Sequence, residues 1–197
     1  MKKVLFFGIV ITASTCIIIS CATAGNRVEY INRQIKIPKI QRIIIFEPEV
    51  FPDIEEIKEP TNTAYFSALS DELKNLGDYK LLRINSIAIY NSTDIETLKE
   101  LCKNNNADAV LIPKVKYFKV GIGKYVFSNQ VIVSLKLYDK SGNLLIETSY
   151  DTFKTNGRML GSAENSIKIG TVGALKKMSQ EIRRNNLMQR KLLTQSN

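Results

Sequence analysis

The chain has 197 residues, 44% of them hydrophobic and 24% charged, with a formal net charge of +9. That composition excludes a disordered or fibrous chain and suits one domain of ordinary size with a real core. There is no histidine, which removes imidazole general bases, Ser-His and Cys-His nucleophile pairs, and zinc sites built on imidazole.

Lys2 and Lys3 form a short positive segment, and no charge recurs from Val4 to Ser20. The run fits the apolar region of a secretory signal, whereas a membrane span wants about 20 apolar residues. It closes on Ile18-Ile19-Ser20-Cys21, followed by the small residues Ala22-Thr23-Ala24-Gly25. This reads as a lipobox, with cleavage before Cys21 and acyl chains such as palmitate attached to it. Cys16 fits worse, because Thr15 precedes it and an apolar run still follows. An uncleaved anchor helix with incidental cysteines is the plainer alternative. Ala22 after the cysteine, rather than Asp, resembles lipoproteins sent to the outer membrane of double-membrane bacteria. The expected division is a signal over 1–20, a lipidated tether over 21–38, one domain over 39–186 and a basic tail over 187–197.

Within the domain, Ile43-Ile44-Ile45-Phe46 predicts a buried strand. The stretch 47–60 carries Pro48, Pro52 and Pro60 with six carboxylates. It lacks calcium-loop spacing and is expected to be a solvated acidic loop. Tyr65, Phe66, Leu69, Leu73 and Leu76 predict a helix over 62–76, with Gly77 placed to cap it. A strand is expected over 79–84, with 87–90 continuing it or forming a separate piece. Thr93-Asp94-Ile95-Glu96 reads as a capping box opening a second helix, whose buried face is Ile95, Leu98, Leu101 and Cys102. Asn104-Asn105-Asn106 ends it, since Asn tolerates a left-handed terminus. The segment from Ala107 to about Val120 is expected to be a strand, and Gly121 and Gly123 to turn the chain. Val131, Val133, Leu135 and Leu137 alternate inward, Asp139 to Asn143 makes a tight turn, and 144–153 returns antiparallel. A long last helix carries the stripe Ile167, Thr171, Ala174, Leu175, Met178 and Ile182. The order β-α-β-α-β-β-β-α predicts an α/β fold, a mixed sheet with an antiparallel C-terminal part, packed by helices.

No serine is followed three positions on by lysine, and Gly123-Lys124 runs into Tyr125, so neither a Ser-Lys hydrolase motif nor a phosphate loop is present. Without the signal, Cys102 has no intrachain partner and reads as a small buried hydrophobe. No catalytic residue, metal ligand or cofactor is assigned. Two patches stand out as candidate partner-docking residues. One is Tyr117, Phe118, Tyr125 and Phe127, interleaved with Lys116, Lys119 and Lys124, which the plainer reading packs on the sheet. The other is basic: residues 165–197 hold seven Lys and Arg, including Lys176, Lys177, Arg183 and Arg184, against Glu181 alone. Its plainer reading is a solvated helix face; its functional one is docking to an acidic partner or anionic surface. Nucleic acid is not expected to meet an exported chain.

The segments ADAVLIPKV and VIVSLKLYDKSGNLL, with the C-terminal helix, resemble a broad group of periplasm-facing lipoproteins. That group includes CsgG-type secretion lipoproteins, LpoB-type synthase activators, the TolB N-terminal domain and, nearest in plan, small GNA-type envelope lipoproteins. The resemblance covers about residues 40–185 and implies a fold rather than chemistry, so no functional residues carry over. CsgG-type pores insert long hairpins; a membrane strand needs about 9–11 residues, and the 117–130 connection is too short for two. LpoB-type activators use a far longer tether. The resemblance implies a non-enzymatic outer-membrane lipoprotein facing the periplasm, assisting envelope or secretion-complex assembly through protein contacts. The alternative is LpoB-like activation of a peptidoglycan synthase. Expected partners are the membrane, through the lipid, and an envelope protein complex; the oligomeric state is left open.

Overall fold

Four apolar residues in a row suit a strand covered on both faces. In the computed structural model, which describes residues 26–76, 79–122, 125–155 and 162–195, they form the buried centre of β2 (Arg42–Glu47). The described elements are β1 (Asn26–Ile31), β2, β3 (Glu49–Phe51), α1 (Glu55–Leu76), β4 (Lys80–Ile87), α2 (Ile95–Asn105), β5 (Ala109–Ile122), β6 (Tyr125–Asp139), β7 (Leu144–Asp151), α3 (Thr152–Thr155) and α4 (Ala163–Gln195). One mixed sheet runs β1-β7-β6-β5-β2-β4, with β3 alongside β5. β2 pairs in parallel with β4 and β5, and β3 in parallel with β5; the other pairings are antiparallel. This is the expected α/β architecture.

Alternation along β6 divides the core. Val131, Val133, Leu135 and Leu137 join Ile43, Ile45, Leu111 and Val115 on the face covered by α1 and α4. Tyr65, Leu69 and Leu73 of α1 and Ile167, Ala174, Leu175 and Met178 of α4 close that layer. The opposite face holds Ile44, Phe46, Val110, Ile112 and Tyr138 beneath Leu98 and Cys102 of α2. At roughly 1.5–3 kcal/mol for each buried large apolar side chain, these two layers supply the dominant folding term.

Both sequence segments that carry the family resemblance fix local structure through an aspartate. The Asp108 carboxylate accepts the backbone N–H groups of Gln41 and Arg42 at 2.8 and 2.9 Å, fixing where β2 begins. Burial alone would raise its pKa, but those two bonds outweigh it and hold the group below the usual carboxylate range. Asp139 accepts from the N–H groups of Ser141 and Asn143 at 2.8 and 2.9 Å, closing the β6–β7 turn. Gly142 occupies a left-handed φ of 79° there, and a Cβ would stand 2.3 Å from Ile95 Cγ2.

Several boundaries differ from the sequence expectation. The tether expected over 21–38 gives way at Asn26, where β1 pairs antiparallel with β7; Ile37 is also buried. The strand is polar and lies at the sheet edge, so it shows little alternation. The acidic stretch 47–60 is β3 followed by the first turns of α1 rather than a solvated loop. Glu55 and Glu56 sit in the first turn of α1, where carboxylates favour the positive helix end. Pro60 lies inside the helix but removes only one bond near its start. The other acids are dispersed: Glu47 meets Arg83, Glu49 meets Lys114, and Lys58 meets Asp53 and Glu55. Asp94, not Thr93, caps α2, accepting from the N–H groups of Glu96 and Thr97. Asn106 is left-handed at φ 50°, as expected for that terminus. β4 continues to Ile87. The basic tail expected over 187–197 is helical as far as Gln195. β5 and β6 extend through Ile122 and from Tyr125, so most of the expected 117–130 connection is ladder. Gly121, expected to turn the chain, lies within β5 and pairs with Val126; Gly77, the expected helix cap, and Gly123, expected at the turn, lie outside the described residues.

Candidate interaction site

Strand lengths set the shape of one end of the molecule. β3 stops at Phe51, opposite Lys116, and β7 stops at Asp151, opposite Ile132. The β5–β6 ladder continues past that row to Ile122–Tyr125. Six further residues of β5 therefore project about 20 Å, at roughly 3.3 Å each, beyond the other described strands. Near the tip the register skips Phe127, between the Val120–Ser128 and Gly121–Val126 pairs, which marks a bulge. The base of the ribbon is braced along β6. The Thr152 hydroxyl bonds Gln130 Oε1 at 2.6 Å and accepts Val131 N–H at 3.0 Å. Ser166 Oγ of α4 donates to the Asn129 carbonyl at 2.8 Å.

Around this base lies a cleft of about 480 Å³ lined by Pro52, Ile54, Ile57, Tyr117, Phe118, Lys119, Asn129 and Ala163. Tyr117 is half-buried and its hydroxyl bonds Thr61 Oγ1; burial pushes its phenol up. Phe118 is also half-buried and meets the Phe153 ring edge-on at 6.5 Å. Sequence reading missed three exposed neighbours: Phe51 (52% exposed), Ile54 (42%) and Phe153 (43%). No local pattern marks them, because their exposure depends on where β3, α1 and β7 end. Lys116 stands over the Phe51 ring at 5.7 Å. Tyr125 and Phe127 belong to the ribbon, but their side chains lie outside the described residues.

The basic candidates lie elsewhere. α4 starts beside Asn129 and reaches Asn185, whose amide donates to the Asn32 carbonyl at 3.1 Å just beyond the far end of β1. Asn185 lies nineteen residue steps along the helix from Ser166, about 28 Å. The aromatic ribbon and the Arg183–Arg184 region are thus at opposite ends. Glu181 receives both Lys177, at 3.1 Å, and Arg184, at 3.2 Å. Lys176 lies 3.9 Å from Glu72, and Arg183 is exposed beside Met178 and Ile182.

One ionisable cluster occupies the sheet face beyond α2. Glu49 accepts from Lys114 at 2.9 Å and from the Tyr90 N–H at 2.7 Å. Tyr90 donates to Glu147 at 2.9 Å, and Lys136 bonds the Tyr90 carbonyl at 2.8 Å while lying 4.4 Å from its ring. Burial foremost, with Glu147 beside it, raises the Tyr90 phenol. Burial would also raise Glu49, yet Lys114 and the Tyr90 N–H outweigh it and lower its pKa. Each group spends its charge on a neighbour, so the cluster clamps the segment after β4. Because the folded pKa of Glu49 is lowered, its contribution is full above the unfolded value, about 4.3, and fades as pH falls through the folded one. Glu49→Gln is expected to cost about 1–3 kcal/mol at neutral pH. Urea melts at successively lower pH should show that difference shrinking below the unfolded pKa.

No family model matches the chain. Among curated proteins, none matches either. Solved structures do. PelC from Paraburkholderia phytofirmans, solved as a dodecamer, superposes with a TM-score of 0.54 at 11% identity, covering 78% of this chain and 96% of that one. The fold resembles PelC's. At that identity the likeness establishes architecture alone. A neuraminyllactose-binding hemagglutinin homolog from Helicobacter pylori follows at 0.40, with 11% identity, 85% of this chain and 99% of the other. Lipoprotein GNA1162 from Neisseria meningitidis gives 0.36, with 15% identity, 56% and 81%. These last two are fold neighbours on which nothing further rests, and the CsgG- and LpoB-type assignments are finer than the comparison carries. Among the described residues, no helix is long and apolar enough to cross a membrane.

Proposed function

We propose that the chain is a lipid-anchored, non-catalytic outer-membrane protein facing the periplasm, which assists an envelope or secretion complex through protein contacts. The observation that carries this reading is the opposite placement of its two ends. β1 takes the chain into the fold at the ribbon end of the sheet, five residues after Cys21, while α4 carries Arg183 and Arg184 to the far end. An anchor at one end leaves the other presented to a partner. Acyl chains on Cys21 supply the anchoring, at about 0.8 kcal/mol per buried methylene. The basic face then attracts an acidic partner, with attraction that weakens as salt rises.

Activation of a peptidoglycan synthase, the alternative, fits less well. With β1 starting at Asn26, the free tether shrinks to five residues, at most about 17 Å. That cannot carry the domain far from its membrane.

The test is affinity capture of the full lipidated chain from crosslinked envelopes, beside an Arg183→Glu/Arg184→Glu form. Recovery of a transport or assembly complex, reduced about tenfold by the charge reversal, supports the proposal. Recovery of a penicillin-binding synthase would move the assignment to the alternative.

A further inference from the structure

We propose that the basic end of the molecule grips its partner by one aliphatic side chain, seated in a cleft between α1, α4 and the sheet, with an adjoining carboxylate on Arg183. This rests on the partner-docking reading above and names the chemistry that the partner must carry.

Exposure along the cleft shows which way it opens. Its floor is Ile43 of β2, Leu111 of β5 and Leu137 of β6, and its walls are Leu73 of α1 with Leu175 and Met178 of α4. Each of these six is at most 7% exposed. The rim is Tyr79, Ser179 and Ile182, all half-buried, and then Arg183, which is exposed. An apolar pit therefore deepens inward from a guanidinium.

The polar groups at its mouth are uncommitted. Lys176, Lys177 and Arg184 each have a carboxylate within ion-pair reach, whereas Arg183 has none among the described residues. The hydroxyls of Tyr79 and Ser179 likewise have no hydrogen-bond partner among those residues. Residues 176–184 carry five basic groups, Arg183 included, against Glu181 alone if the Glu72 contact is set aside as one more neutralised pair; four of the five are Lys176, Lys177, Arg183 and Arg184 on this helix. The mouth is thus electropositive and favours an anion.

Size decides the rest of the ligand. The cleft holds about 110 Å³. An apolar cavity of about 150 Å³ stays dry and takes benzene, so this one suits a smaller group, the side chain of leucine or isoleucine. A membrane acyl chain is several times too long. Empty apolar space forfeits dispersion contacts, and an incoming aliphatic side chain restores them. A carboxylate next to that side chain then meets Arg183, while an ammonium there is repelled.

The probe is isocaproate, an isobutyl group carried on a short carboxylate, added to the full lipidated chain in lipid nanodiscs with its methionine methyl groups labelled for NMR. Met178 lines the cleft, and Met188 lies ten residue steps further along α4. Isocaproate is expected to shift the Met178 methyl resonance and leave Met188 unmoved. Isohexylamine, the cationic counterpart, is expected to shift neither. Ser179→Leu, which fills the mouth, should abolish the Met178 response. It should also cut recovery of the partner complex in the crosslinked capture about tenfold, the worth of one buried aliphatic side chain, with both arginines intact. Ile182→Phe fills the same mouth should the first variant misfold. A Met178 resonance that isocaproate does not move would overturn the seat, and equal shifts from isohexylamine would overturn the pairing with Arg183. Full recovery with Ser179→Leu, lost only on Arg183→Glu/Arg184→Glu, would overturn the seat and keep the basic-end reading. Recovery unchanged by the charge reversal as well would sink both.

Discussion

Gly173→Ala is expected to destabilise the fold by about 1–3 kcal/mol, the usual range for overpacking a tight interface. On an exposed helix the same change would stabilise, because alanine exceeds glycine in helix propensity by about 1 kcal/mol. Here a Cβ would lie 2.1 and 2.2 Å from Cδ2 and Cε2 of Tyr150, and 2.6 Å from Cγ. The contact reaches the root of the ring, so rotation of a distal atom cannot relieve it. Tyr150 is only 9% exposed and belongs to the main core. One turn earlier, Gly170 gives Val133 the same close approach, with a Cβ 2.6 Å from Cγ2. α4 is therefore seated on β6 and β7 through two glycines, and lifting it would uncover Ile167, Ala174 and Leu175. Thermal or urea unfolding of Gly173→Ala, Tyr150→Leu and the double variant checks this. The pair should cost clearly less than the sum of the singles, whereas a raised melting temperature for Gly173→Ala would refute the contact.

Cys21→Ser is expected to release the protein from the envelope, the largest functional effect of any single change. A lone acyl chain gives only marginal, reversible membrane binding, with an association constant of about 10⁴ M⁻¹, and two or more make anchoring stable. Removing the residue proposed to bear them removes the anchor. Fractionation of cells making the Cys21→Ser form should move the protein to the soluble fraction. Retention equal to the original would count against anchoring through that residue.

Much of the fold was legible because it follows local periodicity. The alternation Val131, Val133, Leu135, Leu137 and the stripe Ile167, Thr171, Ala174, Leu175, Met178 need no long-range information, and all are buried. β1 was not legible: Arg27, Glu29 and Tyr30 face largely outward at a sheet edge, and a register shift between Val28 and Tyr30 breaks what alternation there is. The first turns of α1 were hidden by Pro60, which argues against a helix unless it falls close enough to the start. Thr93 and Asp94 are both good caps, and only backbone geometry chooses Asp94. The candidate site was half legible. Tyr117 and Phe118 stood out as residues, but the projection of their ribbon depends on where β3 and β7 stop. Nor does charge composition show that Arg183 and Arg184 end at the opposite pole from the ribbon, since that follows from the path of α4 across the sheet.

The most direct measurement is intact-mass analysis of the protein extracted with detergent from the envelope, with fragmentation of its N-terminal peptide. The expected result is a chain that begins at Cys21 and carries diacylglyceryl on sulfur. An N-terminus at Met1, or a Cys21 bearing an unmodified thiol, would contradict it.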